Sequence, residues 1–483
     1  MVPRIAFKVW RAIDMKQPWF GAASGAKGLA SLSSGLVLVH VASPRFAALA
    51  GAVLFGGALA VAGRRWLNER TLDWLTPVTG ALLAFAIYAL VSTVWSEDPR
   101  ESLAKPTYLI LLVVGARATL SLWSGLAPDL RRRIATGLLV ALLIGLALAA
   151  VEAATQQWIM RKLYTAFPRL YKGLEQHVVV VDGVVAAISE TNIKRRVGML
   201  VLLVWPMALL MVALVPRPRL GVALALLGGL AAVMVYVGPH QSSQVAGIAS
   251  IGVALLARYR IDAARRAVAV VLAGWVLLAL PLVWAAHGAR LHEASWMPPT
   301  ARHRIVIWNA TASEALKSPI LGIGANATRR VFEAREAANE PQRRDGGYIV
   351  GLTRHAHNAY VQVWYELGAV GALLLAIAGV ALVRATRLLP ALAQPFALAQ
   401  ITTTAAVMSS SYGIWQMWFL SSIAFGATLL CAAAELVGDD ASRGDAVGAW
   451  SAYQAARTAG GRRLPTRSAG MRASARGSLR GRR

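Results

Sequence analysis

The sequence predicts an all-α polytopic integral membrane protein with about twelve transmembrane helices and both termini in the cytoplasm. Composition is the first reason, because 57% of the 483 residues are hydrophobic, only 15% are charged, and the mean hydropathy is +0.53. The second is the recurrence of apolar stretches of about 20 residues, and the third is the arginine-rich connection between alternate stretches. A soluble globular enzyme has about 45–50% apolar and roughly 25% charged residues, so this class is excluded, as is a disordered chain.

About twelve apolar stretches are each long enough to cross the hydrocarbon core of a bilayer as a helix. Their interiors are almost free of charge, and Arg117 in the fourth stretch is the main exception. The first and the eighth are short and weakly apolar, so the expected count depends on them. The stretches are centred on Gly35, Leu54, Leu83, Val113, Leu142, Val204, Leu226, Ile251, Leu277, Leu374, Thr404 and Ala424.

The positive charge of the chain is mainly a topology signal. The sequence has 50 Lys and Arg against 23 Asp and Glu, a formal charge of +27. Short connections after alternate spans carry arginine clusters, as cytoplasmic loops do, and examples are Arg131–Arg133, Arg217–Arg219 and Arg258–Arg266. The N-terminal segment, residues 1–27, is basic and falls on the same side. An even number of spans with both ends inside accounts for all of these clusters.

The C-terminal tail, residues 437–483, is basic and lacks hydrophobic periodicity. We expect it to be disordered, cytoplasmic and able to contact anionic lipid. Nucleic-acid binding has no support, because neither a suitable fold nor aromatic interleaving accompanies the arginines. The predicted transmembrane domain therefore spans residues 28–436.

Two long segments are expected on the outer side of the membrane, at about residues 153–196 and 286–356. In the first, aromatic and basic side chains mix between Trp158 and Lys172, which favours a helix lying in the membrane interface. The pair Asp182-Gly183 between valine-rich runs then predicts a hairpin turn.

The second outward segment is predicted to begin with an amphipathic helix that carries Ile305, Trp308, Ala312 and Leu316 on one face and ends before Pro319. It contains ten Lys and Arg against six Asp and Glu, on the side where topology requires no positive charge. Any single arginine there is well explained by a solvated surface with local ion pairs. The set as a whole is explained at least as well by a site for an anionic substrate.

The stretch from His355 into the tenth span is the most informative. Asn358 is a natural N-cap, and Asn358, Gln362 and Glu366 follow one another at intervals of four, which forms a polar stripe on one helix face. Such a stripe is costly in a membrane span unless it faces a cavity or another helix. His357 lies at the outer end of this stripe, as a functional imidazole or as a structural histidine in a hydrogen-bond network.

A metal site is not predicted. His355 and His357 could be ligands, but no neighbouring set of His, Cys and carboxylate completes a recognisable spacing, and His303 would have to come from afar. The single cysteine, Cys431, excludes an intrachain disulfide and a cysteine-based metal cage.

His357-Asn358, followed after nine residues by Gly368 and then by Gly371, resembles the signature of the O-antigen ligases and the related O-antigen polymerases. The resemblance covers roughly residues 74–435. Where many members of the family have Ser-Arg-Gly, this chain reads Gln241–Gln244 without arginine, so another group must supply that guanidinium if it is needed. Further stretches resemble the outer-face elements of the family: Trp95–Pro99, Asn192–Pro206, Arg304–Trp308, and Pro319 with Gly322 and Gly324.

The resemblance implies transfer of a glycan from an undecaprenyl diphosphate carrier to a sugar hydroxyl of the lipid A-core oligosaccharide. It implies an active site on the periplasmic face of the bacterial inner membrane, with membrane lipids as further partners and without nucleic acid, cofactor or metal. Carried over onto this sequence, the resemblance makes His357 the general base. The candidates for binding the diphosphate are Arg195, Arg196 and Arg304. Only one of the adjacent pair Arg195 and Arg196 is expected to face the site, and Arg195 is favoured. The supporting residues are Asn358, Gln362, Glu366, His355 and Trp308.

Two alternatives remain open. A polymerase of the same superfamily would use a second carrier-linked repeat unit as acceptor, and its motifs hardly differ from those of a ligase. A transporter or flippase for an anionic lipid would carry polar groups near the midplane of several spans, where only Arg117 is found.

Overall fold

The computed structural model describes residues 34–35, 37, 44–69, 75–172, 175–238, 240–338 and 343–442. The predicted N-terminal segment, most of the first predicted span and nearly all of the basic tail lie outside the described residues. Residues up to Gly438 belong to one compact unit, and of the second unit, Asp439–Arg483, the structure describes the end of the last helix.

The described chain is mostly helical, with two short antiparallel hairpins. Short 3-10 turns cover Ser92–Val94, Pro168–Tyr171, Glu175–His177 and Thr386–Leu388. The helices and strands are α1 (Pro44–Glu69), α2 (Pro77–Val91), α3 (Pro99–Ser124), α4 (Pro128–Ala154), α5 (Trp158–Ala166), β1 (Val178–Val181), β2 (Val184–Ile188), α6 (Glu190–Val201), α7 (Val204–Leu214), α8 (Arg217–Val237), α9 (Gln241–Tyr259), α10 (Ile261–Leu277), α11 (Ala279–Gly288), α12 (Pro299–Ala315), α13 (Thr328–Ala337), β3 (Arg343–Asp345), β4 (Tyr348–Val350), α14 (Ala359–Ala385), α15 (Gln394–Met408) and α16 (Met417–Ser442).

Within the described residues, seven helices are long and apolar enough to cross a membrane, or up to nine if each of two bent pairs forms one span. The protein is therefore a helical, multi-pass membrane protein. Nine of the predicted centres lie in these helices and bent pairs. Two others lie in α9, which starts with the polar run Gln241–Gln244, and in α15, which has 15 residues. The expected count of about twelve stays a prediction, as does the location of the termini.

Both bent pairs are explained by a proline. Helices α6 and α7 meet at 44°, and α10 and α11 meet at 73°. A proline ring clashes with the carbonyl group four residues earlier and removes a backbone donor. Pro206 therefore breaks the first pair at Leu202, and Pro281 breaks the second at Leu277.

Two apolar cores hold the helices together. The larger one packs α1, α3, α4, α7 and α16 around side chains such as Leu142, Leu202 and Phe419. The second surrounds α14, with Tyr360 and Leu367 at its centre, and includes parts of α2, α10, α11 and α12. Many leucines, valines and isoleucines of α8, α9 and α10 stay exposed, as expected for helices that face lipid.

The local predictions for the first long loop agree with the structure. Trp158–Ala166 is a helix, and β1 and β2 pair across Asp182 and Gly183, whose φ angles of 50° and 76° are those of a type I′ turn. Trp158 is exposed, as an interfacial helix would require, while placement in the membrane interface remains a prediction.

The predicted helix of the second loop is α12. Ile305 and Ala312 are buried and Trp308 packs against the second core, as the pattern predicted. The assignment of Leu316 to this face is wrong, because Leu316 follows the last helical residue and is 56% exposed.

Helix α14 is broken at Gly368, whose φ of 62° and ψ of −163° are not helical. The break admits the non-helical segment Pro319–Gly324, which joins α14 through backbone hydrogen bonds. Ala369 N donates to Pro319 O at 2.8 Å, and Gly324 N donates to Glu366 O at 2.8 Å. The close neighbour of Gly368 is the backbone of this segment at Ile320 and Leu321. Gly368 thereby joins two motifs that are far apart in sequence.

We expect Gly368→Ala to destabilise the protein by at least about 2 kcal/mol. A side chain would strain the backbone at this φ and ψ, and its Cβ would lie 2.2 Å from the carbonyl oxygen of Ile320. The measurement is the unfolding temperature in detergent, with Gly228→Ala in α8 as control because a Cβ at Gly228 meets nothing within 4 Å. Equal unfolding temperatures for Gly368→Ala and the wild type would contradict the role of the break.

Candidate active site

The His357 imidazole lies in the loop between β4 and α14. Its backbone φ of 54° is in the left-handed region, which is uncommon outside glycine. Its Nδ1 is 3.1 Å from the carbonyl oxygen of Ser411. Because a carbonyl oxygen can only accept a hydrogen bond, Nδ1 carries the proton and donates it. The lone pair of the neutral ring is therefore on Nε2, which can take up a proton.

The surroundings of His357 favour its neutral form. Burial is the main influence and lowers the pKa of His357 below the ordinary value of 6.5. The hydrogen bond to Ser411 opposes this shift, while the charges of Arg304 and His303 lower the pKa further. A histidine with a lowered pKa is neutral at pH 7, so the ring is in the form that accepts a proton.

Arg304 brings a guanidinium group to the start of α9. Its Nη1 is 3.4 Å from Ser242 Oγ, and Thr300 Oγ1 donates to Gln241 Oε1 at 2.9 Å, so α12 is fastened to α9 at two points. Gln241–Gln244 is the stretch that lacks the arginine of the family pattern. Arg304 therefore supplies a positive charge at that place from another helix.

The adjacent Arg195 and Arg196 point to different surroundings, as their helical spacing of about 100° requires. The Arg196 side chain is 12% exposed, and its Nη1 lies 3.9 Å from Glu152 Oε2 on α4. Arg195 is exposed, and its charge lowers the pKa of His355. Of the pair, Arg195 is the one near the histidines, and Arg196 is held against a carboxylate.

The ring of His355 lies against that of His357, tilted by 47°, with 4.2 Å between the ring centroids. Burial lowers the pKa of His355 to about 3, and the neighbouring His357 ring and the charges of Arg195 and Arg304 add to the shift. Gln416 Nε2 donates to His355 Nε2 at 3.3 Å. His355 is therefore a neutral neighbour of His357 and a poor proton acceptor.

A group that the sequence analysis missed is His240, just before α9. Its ring stacks on Tyr412, with centroids 5.5 Å apart. Tyr412 Oη donates to the carbonyl oxygen of Lys194, so it accepts from His240 Nε2–H at 3.1 Å. Burial, with the charges of Arg304 and Lys194, lowers the pKa of His240 to about 3. The signal that could have identified it is the polar run from His240 to Gln244 ahead of an apolar helix.

The charged groups that act on these three histidines are all cationic. Arg304 lowers the pKa of each, and Arg195, Lys194 and His303 each affect at least one. A cluster of positive charge around neutral imidazoles favours an anionic ligand.

The polar stripe of α14 is buried rather than open to a cleft. Asn358 caps the helix, since its Oδ1 accepts from Tyr360 N at 3.0 Å and Val361 N at 3.2 Å. Gln362 Nε2 donates to Glu366 Oε1 at 2.9 Å. The N-cap prediction is confirmed. The buried side chains of the stripe bond to the backbone and to one another inside the protein, below the loop that carries His357.

Glu366 is completely buried and gathers donors from three parts of the chain. Thr328 Oγ1 donates at 2.5 Å, Asn326 N donates at 3.0 Å, and Trp415 Nε1 also donates to the carboxyl group. These bonds join α14 to the start of α13 and to the loop that carries Ser411. Glu366 therefore ties α14 to the second outward segment, which includes the helix of Arg304. It also ties α14 to the loop of Ser411, whose carbonyl oxygen is the hydrogen-bond partner of His357.

The remaining predicted residue, Trp308, lies on α12 against the second core. Its indole Nε1 is buried and has no hydrogen-bond partner in the part of the chain that the structure describes. The structure thus brings His357, His355, Arg304 and Arg195 together, and it places Arg196 with Glu152. Among the described residues, the metal-capable group of histidines and carboxylates lies elsewhere, at His287, His292 and Asp345.

Residues 239–376 match the sequence model of the family described as O-antigen ligase. Through this segment, the chain is similar to the O-antigen ligase superfamily. The matched segment includes Arg304, His355, His357 and Glu366, whereas Arg195 and the loop of Ser411 lie outside it.

A candidate polysaccharide ligase of Rickettsia conorii is 29% identical to this chain over 125 residues. The similarity covers 26% of this chain and 30% of that relative. The chain thus aligns with less than a third of the length of the curated relative that it matches.

We expect Glu366→Gln to destabilise the protein by at least about 2 kcal/mol, because an amide NH2 would face buried N–H and O–H donors. The second loop should loosen, so trypsin should cut faster after Arg329 and Arg330. The measurements are the unfolding temperature and the rate of limited proteolysis. The control is Glu333→Gln, at a surface carboxylate that accepts a hydrogen bond from Arg329 Nε, which should unfold at the temperature of the wild type. Unchanged proteolysis of Glu366→Gln would contradict the anchoring role.

Proposed function

We propose that this protein is an O-antigen ligase that transfers a glycan from undecaprenyl diphosphate to a sugar hydroxyl of the lipid A-core oligosaccharide. The reaction takes place on the periplasmic face of the bacterial inner membrane. One observation carries the proposal: a neutral imidazole with its lone pair on Nε2, at His357, is acted on by the charge of Arg304, and the adjacent ring of His355 is acted on by the charges of Arg304 and Arg195. The similarity of residues 239–376 to the O-antigen ligase family and the multi-pass architecture support the lipid-linked substrate.

The proposed chemistry is a direct displacement. His357 Nε2 removes the proton of the acceptor hydroxyl as its oxygen forms a bond with the anomeric carbon. The bond between that carbon and the diphosphate oxygen breaks, and the diphosphate leaves with the electron pair. One displacement inverts the configuration at the anomeric carbon, and no covalent glycosyl intermediate on the protein is needed.

The arginines meet the second need of this reaction, which is stabilisation of the negative charge that develops on the leaving diphosphate. Guanidinium groups match phosphate oxygens in a bidentate fashion and are always charged. In a partly buried site their effect on the transition state is larger than in water. Arg304, held at Ser242, and the exposed Arg195 are the proposed pair.

Arg196 has a different proposed role. Its guanidinium lies 3.9 Å from the buried carboxyl group of Glu152, whose Oε1 accepts from Ile159 N at 2.8 Å. This contact links α6 to α4 and to the start of α5. We therefore assign Arg196 to the structure of the outer loop and Arg195 to the diphosphate.

The experiment that tests the function is transfer in vitro with a defined carrier-linked glycan and two acceptors, lipid A-core and a second carrier-linked repeat unit. Transfer to lipid A-core supports the ligase. Transfer only to the repeat unit would show a polymerase, and a core with a single repeat unit in a deletion strain would agree with that outcome. Movement of the lipid across vesicles without transfer would show a flippase.

We expect His357→Ala to lower the transfer rate by about 10²–10⁴-fold, because the variant lacks the group that accepts the proton. The measurement is kcat with purified protein and saturating donor. The matched control is His177→Ala, which removes a partly buried histidine from the first loop and should leave kcat unchanged.

The pH profile separates a base from a merely structural histidine. Since the pKa of His357 is lowered, kcat should stay constant as the pH falls through 6.5 and should decline only at lower pH, where the imidazole gains a proton. Full activity of folded His357→Ala would overturn the general-base assignment.

We expect Arg304→Gln and Arg195→Gln each to lower kcat/KM by about 10- to 100-fold, since each removes a charged donor to the diphosphate. Arg196→Gln should instead lower the unfolding temperature, with a smaller effect on kcat/KM. The control is Arg330→Gln, an exposed arginine of the second loop. If Arg196→Gln lost more activity than Arg195→Gln at equal folded content, the assignment of the pair would be reversed.

A further inference from the structure

A second cluster of histidines lies in the long loop before α14, apart from His355 and His357. His287 belongs to the last turn of α11, His292 follows in the next turn of the chain, and Asp345 ends β3. His287 Nε2 is 2.7 Å from Asp345 Oδ2, and His292 Nε2 is 3.2 Å from Asp345 Oδ1. Glu293 Oε1 lies 3.5 Å from His292 Nε2.

The orientation of the two imidazoles is specific. The rings of His287 and His292 are parallel within 3°, with centroids 4.3 Å apart, so that both Nε2 atoms point at one carboxylate. The ligand atoms of His287, His292 and Asp345 all lie within 4.8 Å of one another. The other oxygen of Glu293 is engaged by Arg290 at 2.6 Å, which leaves Oε1 directed at the cluster.

Two of these separations are close to those of a tetrahedral zinc site, and the third, 2.7 Å between His287 Nε2 and Asp345 Oδ2, is that of a hydrogen bond that the ion would replace. Nitrogen and oxygen ligands about 2.0–2.1 Å from a tetrahedral zinc ion lie about 3.3 Å from one another. The separations of His292 Nε2 from Asp345 Oδ1 and from Glu293 Oε1, 3.2 Å and 3.5 Å, already have this size. Two imidazole nitrogens and two carboxylates are also a donor set that suits zinc better than magnesium or calcium, which prefer oxygen alone.

We propose that His287, His292 and Asp345 bind one zinc ion, and that the Glu293 side chain moves in to complete the tetrahedron. Glu293 Oε1 is 3.5 Å from His292 Nε2 but is not among the ligand atoms that already lie within 4.8 Å of one another. With four protein ligands the ion is structural. It does not take part in the transfer proposed above, and the inference does not depend on that function.

The site fastens the hairpin β3–β4 to the end of α11. On its other strand the hairpin is held by Tyr348, which stacks on His303 with centroids 5.2 Å apart and lies 6.0 Å from the Arg302 guanidinium. The chain runs directly from this hairpin to His355 and His357, and His303 is next to Arg304. A bound ion would therefore order the outer loop from which the candidate active site is built.

The test uses the full-length protein, purified with a tag that contains no histidine, stripped with a chelator and titrated with Zn²⁺ against a chromophoric competitor. We expect about one equivalent of tightly bound zinc and a higher unfolding temperature with zinc than without it. In Asp345→Asn and His292→Gln, which keep the size of the side chains, affinity should fall by about 100-fold or more, and zinc should no longer raise the unfolding temperature.

Matched controls remove a histidine or a carboxylate outside the cluster, as in His177→Gln and Glu333→Gln, and both should bind zinc like the wild type. His287→Gln, at a partly exposed position, is a second test if the more buried variants fail to fold. The proposal is overturned if the wild type binds no tight equivalent, if Asp345→Asn binds as the wild type does, or if binding is lost in His355→Ala instead.

Discussion

The candidate site depends on the hydrogen bonds of one buried carboxyl group. Glu366 has no contact with solvent, and donors from Gln362, Asn326, Thr328 and Trp415 converge on it. Removing a carboxyl group from water is costly unless such donors replace the lost hydration. These donors surround the carboxyl group only when α14, the second loop and the loop before α16 come together. Because the buried Glu366 carboxyl group needs these donors, its hydrogen bonds also bring together the elements that carry His357, Arg304 and Ser411.

The break at Gly368 complements this carboxyl group. It exposes backbone groups of α14, and the segment Pro319–Gly324 forms hydrogen bonds with them. In an apolar environment each such group must find a partner within the protein. The backbone pairing and the Glu366 hydrogen bonds act within two helical turns, so the outer loop is fixed to α14 at its base. The hairpin β3–β4 gives this loop a second attachment, far along the chain, through the cluster around Asp345.

Burial and positive charge act in the same direction on the three histidines near Arg304. Both disfavour a protonated ring, so His240, His355 and His357 are neutral beside permanently charged guanidinium groups. In the proposed reaction, the site separates two tasks that one kind of side chain could not perform together. The arginines would hold an anion without losing charge, and an imidazole near them would accept a proton because it starts without one.

The sequence by itself determined the class of protein and the local structure. Long apolar stretches must lie in a bilayer as helices, Asn358 must cap its helix, and Asp182-Gly183 must turn, because these properties depend only on near neighbours in the chain. Only the tertiary structure decided three features of the site. Arg304 lies near Ser242, Arg195 and Arg196 have different surroundings, and His240 stacks on Tyr412 close to the other histidines. Each depends on which side chain of one helix meets a helix distant in sequence, and hydrophobic periodicity holds no information about that choice. For the same reason, the spacing rules for metal ligands could not predict that His287 and His292 meet Asp345, which lies more than 50 residues later in the chain.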